Sequence, residues 1–213
     1  MNFIDQHTIN LFHNDRLKNF GPGTVESLGW PDRESQQARF EILSGIADFD
    51  NLVVLDVGCG YGDLYPYLRI KYPYISYIGI EQNTSFLDIA MQRYGKDTQA
   101  KFLLGDFTNA ALPPVDYILC SGALSYKNNE AGFIKHSIEK LFRSCSHGFG
   151  FNLLHEVKNP GGILVAYEPE EILDICSQLT PYIQIHSDYL PEDFSVFLYN
   201  NQPEAQRKDQ QKK

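Results

Sequence analysis

The stretch VLDVGCGYGD, residues 54–63, sets three glycines at alternate positions between two carboxylates, Asp56 and Asp63. Glycine lets the main chain turn sharply and approach a ligand with no Cβ in the way. A dinucleotide fingerprint, G-x-G-x-x-G, would place its third glycine at position 63, where Asp63 stands instead. Two acids beside the turn would repel a diphosphate, whereas a ligand carrying positive charge tolerates them. The simpler reading of the same residues is a structural turn between a strand and a helix.

Elements with a regular rhythm surround this turn. LVVLDVG, 52–58, is a short β-branched run that reads as a strand buried on both faces. Further strands are expected at 76–81, 100–106, 115–122 and 148–154. Helices are expected at 33–47 with Asp32 as N-cap, at 63–72 opened by Asp63, at 84–94, at 130–146, and from Pro169 to about Leu179. Strand five could instead be 162–167, after the Pro160-Gly161-Gly162 turn; 148–154 follows the long helix directly, and is preferred. The segments 182–189 and 194–200 are rich in β-formers and joined by a short loop, which suggests a hairpin. A short loop cannot return a strand in parallel, so one strand must run against the rest. The expected fold is a doubly wound α/β domain, with a mostly parallel seven-stranded sheet, a C-terminal antiparallel hairpin and helices on both faces. Residues 1–32 read as a short helix and an irregular cover segment, 33–200 as the main domain, and 201–213 as a disordered tail.

D-x-G-x-G-x-G after an apolar strand resembles the first motif of class I S-adenosylmethionine-dependent methyltransferases. That resemblance spans residues 33–200 and implies how the remaining site residues are used. Asp56, Gly58, Cys59, Gly60 and Gly62 would form the donor turn. Glu81, with Gln82 beside it, would hold the ribose hydroxyls from the end of the second strand. Asp106 and Phe107 would serve the adenine after the third strand, and Ser121 would reach the site from the fourth. The implied reaction is in-line transfer of the donor methyl to an oxygen, nitrogen, carbon or sulfur nucleophile, leaving S-adenosylhomocysteine, with no metal. A sulfonium is a good leaving group, so the protein mainly aligns and desolvates.

Each of these residues also has a plainer role open to it. Glu81 could be a solvated cap, and Asp106 a turn former. Of the six histidines, only His155 lies just past a strand end on the active face, which makes it the candidate base. Trp30, Arg33 and Tyr126 are candidates for the acceptor pocket: by the resemblance Trp30 and Arg33, with Gln37, sit where an N-terminal cover shields the methyl donor, and Tyr126 follows strand four.

Composition narrows the acceptor. The 213-residue chain is 43% apolar with a formal net charge of -9. An acidic balance argues against nucleic acid, which needs a basic face. The stretch after strand four, CSGALSY, lacks both the Asn/Asp-Pro-Pro-aromatic motif of amino-methyltransferases acting on bases and the Pro-Cys nucleophile of cytosine-C5 enzymes. A small-molecule acceptor is expected, with a protein or transfer RNA acceptor, or a non-catalytic donor-binding relative, as alternatives. Four dispersed cysteines, an N-terminus without an apolar signal core, and no apolar run near 20 residues point to a cytoplasmic chain that does not enter a membrane.

Overall fold

The computed structural model describes residues 1–203, so the expected tail lies almost wholly outside the described residues. Strands β1 (Val53–Val57), β2 (Ser76–Glu81), β3 (Ala100–Leu104), β4 (Val115–Cys120), β5 (Cys145–Leu154), β6 (Ile183–His186) and β7 (Asp193–Tyr199) form one sheet in the order β3-β2-β1-β4-β5-β7-β6. The first five are mutually parallel, and β7 lies antiparallel to both β5 and β6. The chain order reverses on either side of β1, so a crevice opens beyond the carboxyl ends of β1 and β4.

The helices are α1 (Phe3–Phe20), α2 (Arg33–Ser44), α3 (Leu64–Lys71), α4 (Thr84–Tyr94), α5 (Phe133–Arg143) and α6 (Pro169–Ser177). On one face Phe40 and Leu43 of α2 and Leu64, Tyr65 and Leu68 of α3 pack with Val54, Leu119 and Phe197. On the other, Ile138, Leu141 and Phe142 of α5 and Ile172 and Cys176 of α6 pack with Leu55, Ile118, Phe149 and Phe151. Alternate residues of the central strands thus feed two separate cores, which is why those strands are apolar on both faces.

Several boundaries differ from the sequence reading. The amino-terminal helix is a full 18 residues rather than a short one. Helix α5 begins only after Gly132, whose φ of +74° interrupts the chain ahead of it, and β5 starts at Cys145, inside the expected helix. Asp63 is itself in the helical region and does not cap α3; its carboxylate pairs with Arg93 at 2.9 Å instead. Strand five is β5, while Leu164 forms only an isolated bridge with Tyr126. That bridge draws the segment after β5 across the crevice.

Candidate active site

The turn after β1 is built around two glycines at positive φ, where any side chain would be strained. Gly58 has φ +73°, and a Cβ there would lie 2.6 Å from Ala123 Cβ. Gly60 has φ +56°, and a Cβ would meet Leu28 of the cover at 2.8 Å. Across the turn the Glu81 carboxylate accepts from Gly60 N–H at 2.9 Å and from Asn83 N–H at 2.8 Å. Burial pushes the Glu81 carboxyl upward, and the backbone N–H groups facing it pull it back. A carboxylate has about four lone-pair directions, so those two bonds leave capacity for sugar hydroxyls. Asp56, 2% exposed, accepts from Tyr77 Oη at 2.6 Å, and burial lifts its pKa to about 7.

These residues line a cavity of about 740 Å³. Asp56, Gly58, Cys59, Gly60, Glu81, Gln82, Phe107 and Ser121 all reach its wall, as do Trp30 and Tyr126. A mainly apolar pocket with a few convergent polar groups suits a nucleoside with an amino acid tail. The Ser121 hydroxyl is buried and without a protein partner.

Other expected residues are placed elsewhere. Asp106 does not form the wall: its carboxylate takes the side chains of Thr108, Asn109 and Gln6, the last at 2.8 Å, and so ties α1 to the loop after β3. Gly62 also lies off the cavity; its missing Cβ makes room for the Phe102 ring, which would stand 2.8 Å away. Arg33 is exposed on the outer side of α2, outside the lining. Arg39, on the inner side of the same helix, lines the cavity in its stead. Gln37 is likewise exposed, and its neighbour Gln36 faces the cavity. His155 is exposed, contacts the Pro191 carbonyl through Nε2 at 2.5 Å and lies off the cavity.

Three unforeseen residues do face the cavity. Arg39 lies over the Trp30 ring and gives its Nε–H to Asp193 Oδ2 at 2.7 Å, with Nη2 2.6 Å from the same oxygen, both side chains being buried. His13 of α1 meets the Ser27 carbonyl through Nδ1 at 3.3 Å and the Tyr126 hydroxyl through Nε2 at 2.8 Å. A carbonyl can only accept, so the proton sits on Nδ1 and Tyr126 donates to Nε2. Burial lowers the His13 pKa to about 4, which keeps this ring neutral at pH 7. Asn152 of β5, 1% exposed, accepts from Gly122 N–H at 2.8 Å. Signals were available for two of them: Arg39 falls on the inward stripe of α2, and Asn152 interrupts an apolar strand, whereas α1 has too little amphipathic pattern to single out His13.

An open α/β sheet with a glycine turn and an acid at the next strand end defines a Rossmann-like ligand-binding domain. The model of the methyltransferase domain family matches residues 54–148. The D-x-G-x-G-x-G turn and the inserted β7 accompany that match, so residues 54–148 are similar to the methyltransferase domain family. No curated protein matches the sequence significantly. Among solved structures, magnesium protoporphyrin IX methyltransferase from Synechocystis PCC 6803 with bound SAH is similar at a TM-score of 0.69 and 15% identity, over 93% of this chain and 99% of that one. A SAM-dependent methyltransferase from Aquifex aeolicus is similar at 0.61 and 18%, over 82% and 96%. The partner of the Trm112 methyltransferase activator in a Haloferax volcanii complex is similar at 0.66 and 16%, over 89% and 98%. At such identities these likenesses concern the fold. Among the described residues no helix is long and apolar enough to cross a membrane, and no cluster of His, Cys, Asp or Glu could hold a metal.

Proposed function

We propose that the chain transfers a methyl group from S-adenosylmethionine to a small-molecule acceptor by in-line displacement. The observation that carries this reading is the Gly58–Gly60 cradle facing a fixed Glu81 within a cavity that continues under α1 toward Trp30, Tyr126 and Leu164. When bound, the donor supplies a methyl on a positively charged sulfur. Glu81 would hold the ribose hydroxyls, Gly58, Cys59 and Gly60 would bring main chain against the amino acid tail, and Gln82 and Phe107 would flank the nucleoside. Asp56 would face the donor's positive end. Trp30, Phe12 and Leu164 wall the remaining volume with apolar surface, which excludes water from the path between donor and acceptor.

Enclosure favours a small acceptor over a polymer, because α1 and the segment carrying Leu164 both lie across the crevice. A macromolecular acceptor is the second reading. Calorimetry with S-adenosylhomocysteine, followed by transfer of labelled methyl into a metabolite extract and into a macromolecular extract, tests both. Binding with label only in small molecules supports the proposal; absence of S-adenosylhomocysteine binding removes it, and label only in protein or RNA replaces it with the second reading.

A further inference from the structure

Among the described residues, four buried side-chain nitrogens or oxygens have no hydrogen-bond partner, and two of them, Ser121 Oγ and Asn152 Nδ2, line the cavity. They are neighbours. Parallel pairing of β4 with β5 sets Leu119 beside Gly150 and Cys120 beside Phe151, and one further step along each strand brings Ser121 beside Asn152. Side chains paired in this way point to the same face of the sheet.

The orientation of the Asn152 amide is set by its surroundings. Gly122 N–H can only donate, so the atom it meets at 2.8 Å is Oδ1, and the –NH₂ is turned the other way. Further along this face Asp193, paired across from Leu154, holds Arg39 and also receives the Tyr189 hydroxyl. Ser121 and Asn152 themselves offer a hydroxyl and a neutral N–H donor, both away from the Glu81 side of the turn. A buried donor without a partner is costly, and a ligand oxygen placed there would recover that loss.

We propose that Asn152 is a positioning residue for the methyl acceptor, donating through Nδ2 to a carbonyl oxygen next to the atom that is methylated, with Ser121 as the second contact. A neutral carbonyl fits better than a carboxylate. The cavity wall carries six acids, Asp56, Asp63, Glu81, Glu156, Glu192 and Asp193, against three cations, Arg16, Arg39 and Lys158, and the Arg39 charge is already matched by Asp193. The assignment rests on the methyltransferase reading and adds the acceptor's polar group to it.

The test uses the full chain saturated with S-adenosylhomocysteine and three probes sharing one ring, acetophenone, benzoate and aniline, each at about 10 mM, above the millimolar Kd expected of such fragments. The Asn152 side-chain amide signal, assigned by its loss in Asn152→Asp, is followed by ¹⁵N NMR. Acetophenone is expected to shift it saturably, and aniline to leave it in place. No shift with acetophenone, or shifts as large with aniline or benzoate, would overturn the proposal. In parallel, Asn152→Asp should bind S-adenosylhomocysteine within about twofold of the wild type, while a loss of tenfold or more would put Asn152 in the donor site and overturn it too. If the wild type itself fails to bind S-adenosylhomocysteine, the donor reading fails instead, so the two failures are told apart.

Discussion

The Glu81 carboxylate and the Gly60 N–H face each other at 2.9 Å, so the end of β2 fixes the turn that leaves β1. The same carboxylate holds Asn83, whose side chain caps α4 through Ser85 N–H at 3.0 Å. Glu81→Ala removes both anchors. Affinity for S-adenosylhomocysteine should fall by about 1–3 kcal/mol through loss of charge-assisted bonds. Glu81→Gln, which keeps an acceptor, should lose less. Calorimetry on both variants, with thermal unfolding to separate folding from binding, checks the order.

Gly58 and Gly60 should respond differently to the same methyl group. At Gly58 the new Cβ meets Ala123 Cβ, close to main chain, and the positive φ adds about 1–2 kcal/mol of strain. At Gly60 the clash is with the movable tip of Leu28. Gly58→Ala should therefore lower the unfolding temperature more than Gly60→Ala, while both weaken S-adenosylhomocysteine binding. Equal affinities in wild type and both variants would remove the turn from the donor site.

Two buried groups give the fold opposite pH dependences. Asp56 has its pKa raised by burial from 3.8 to about 7, so the folded state keeps that proton longer than the unfolded chain. Its contribution is present at low pH and is lost as pH rises from about 4 to about 7. A cationic ligand against Asp56 should expel the proton, and calorimetry near pH 6.5 in buffers of different ionisation heat should report its release on donor binding. Asp56→Asn should abolish that release.

His13 runs the other way. Burial lowers it from 6.5 to about 4, so its contribution is full above pH 6.5 and is lost as pH falls toward 4. Protonation would also remove the acceptor that Tyr126 uses. His13→Gln should flatten the acid side of the stability profile between those values, as measured by denaturant midpoints across pH. An unchanged acid limb would mean that this ring is not neutral in the folded protein.

Arg39 and Asp193 form a buried pair whose members come from α2 and β7. Removing one partner strands the other charge, and Arg39→Ala should cost about 3–5 kcal/mol. A double variant, Arg39→Met with Asp193→Leu, should recover much of that loss. Urea unfolding of the two proteins decides.

Local pattern carried the succession of strands and the glycine turn after β1, because β-branched runs ending in glycine and acids at strand ends declare themselves within a few residues. The residues that went astray depend on contacts between distant segments. Asp106 sits where the resemblance puts it, but Gln6 of α1 draws its carboxylate out of the wall. Arg33 and Arg39 lie on one helix, and only helical phase separates them: Ser35, Arg39 and Leu43 are buried at steps of four, and Arg33 is off that stripe. His155 follows a strand end on the active side, as expected, yet its ring turns to the Pro191 carbonyl. Length misled in the cover, where α1 has little amphipathic signal because two of its three buried residues, Asp5 and His13, are polar.

The position of β7 has an outcome for how the protein is made. This strand is buried along its whole length and slots between two strands that precede it in the chain. Until it has left the ribosome, β5 shows an open edge, and the guanidinium of Arg39 has no counter-ion. Nascent chains halted before residue 193 should therefore recruit chaperones, and the interior should seal only when that late segment is threaded into place.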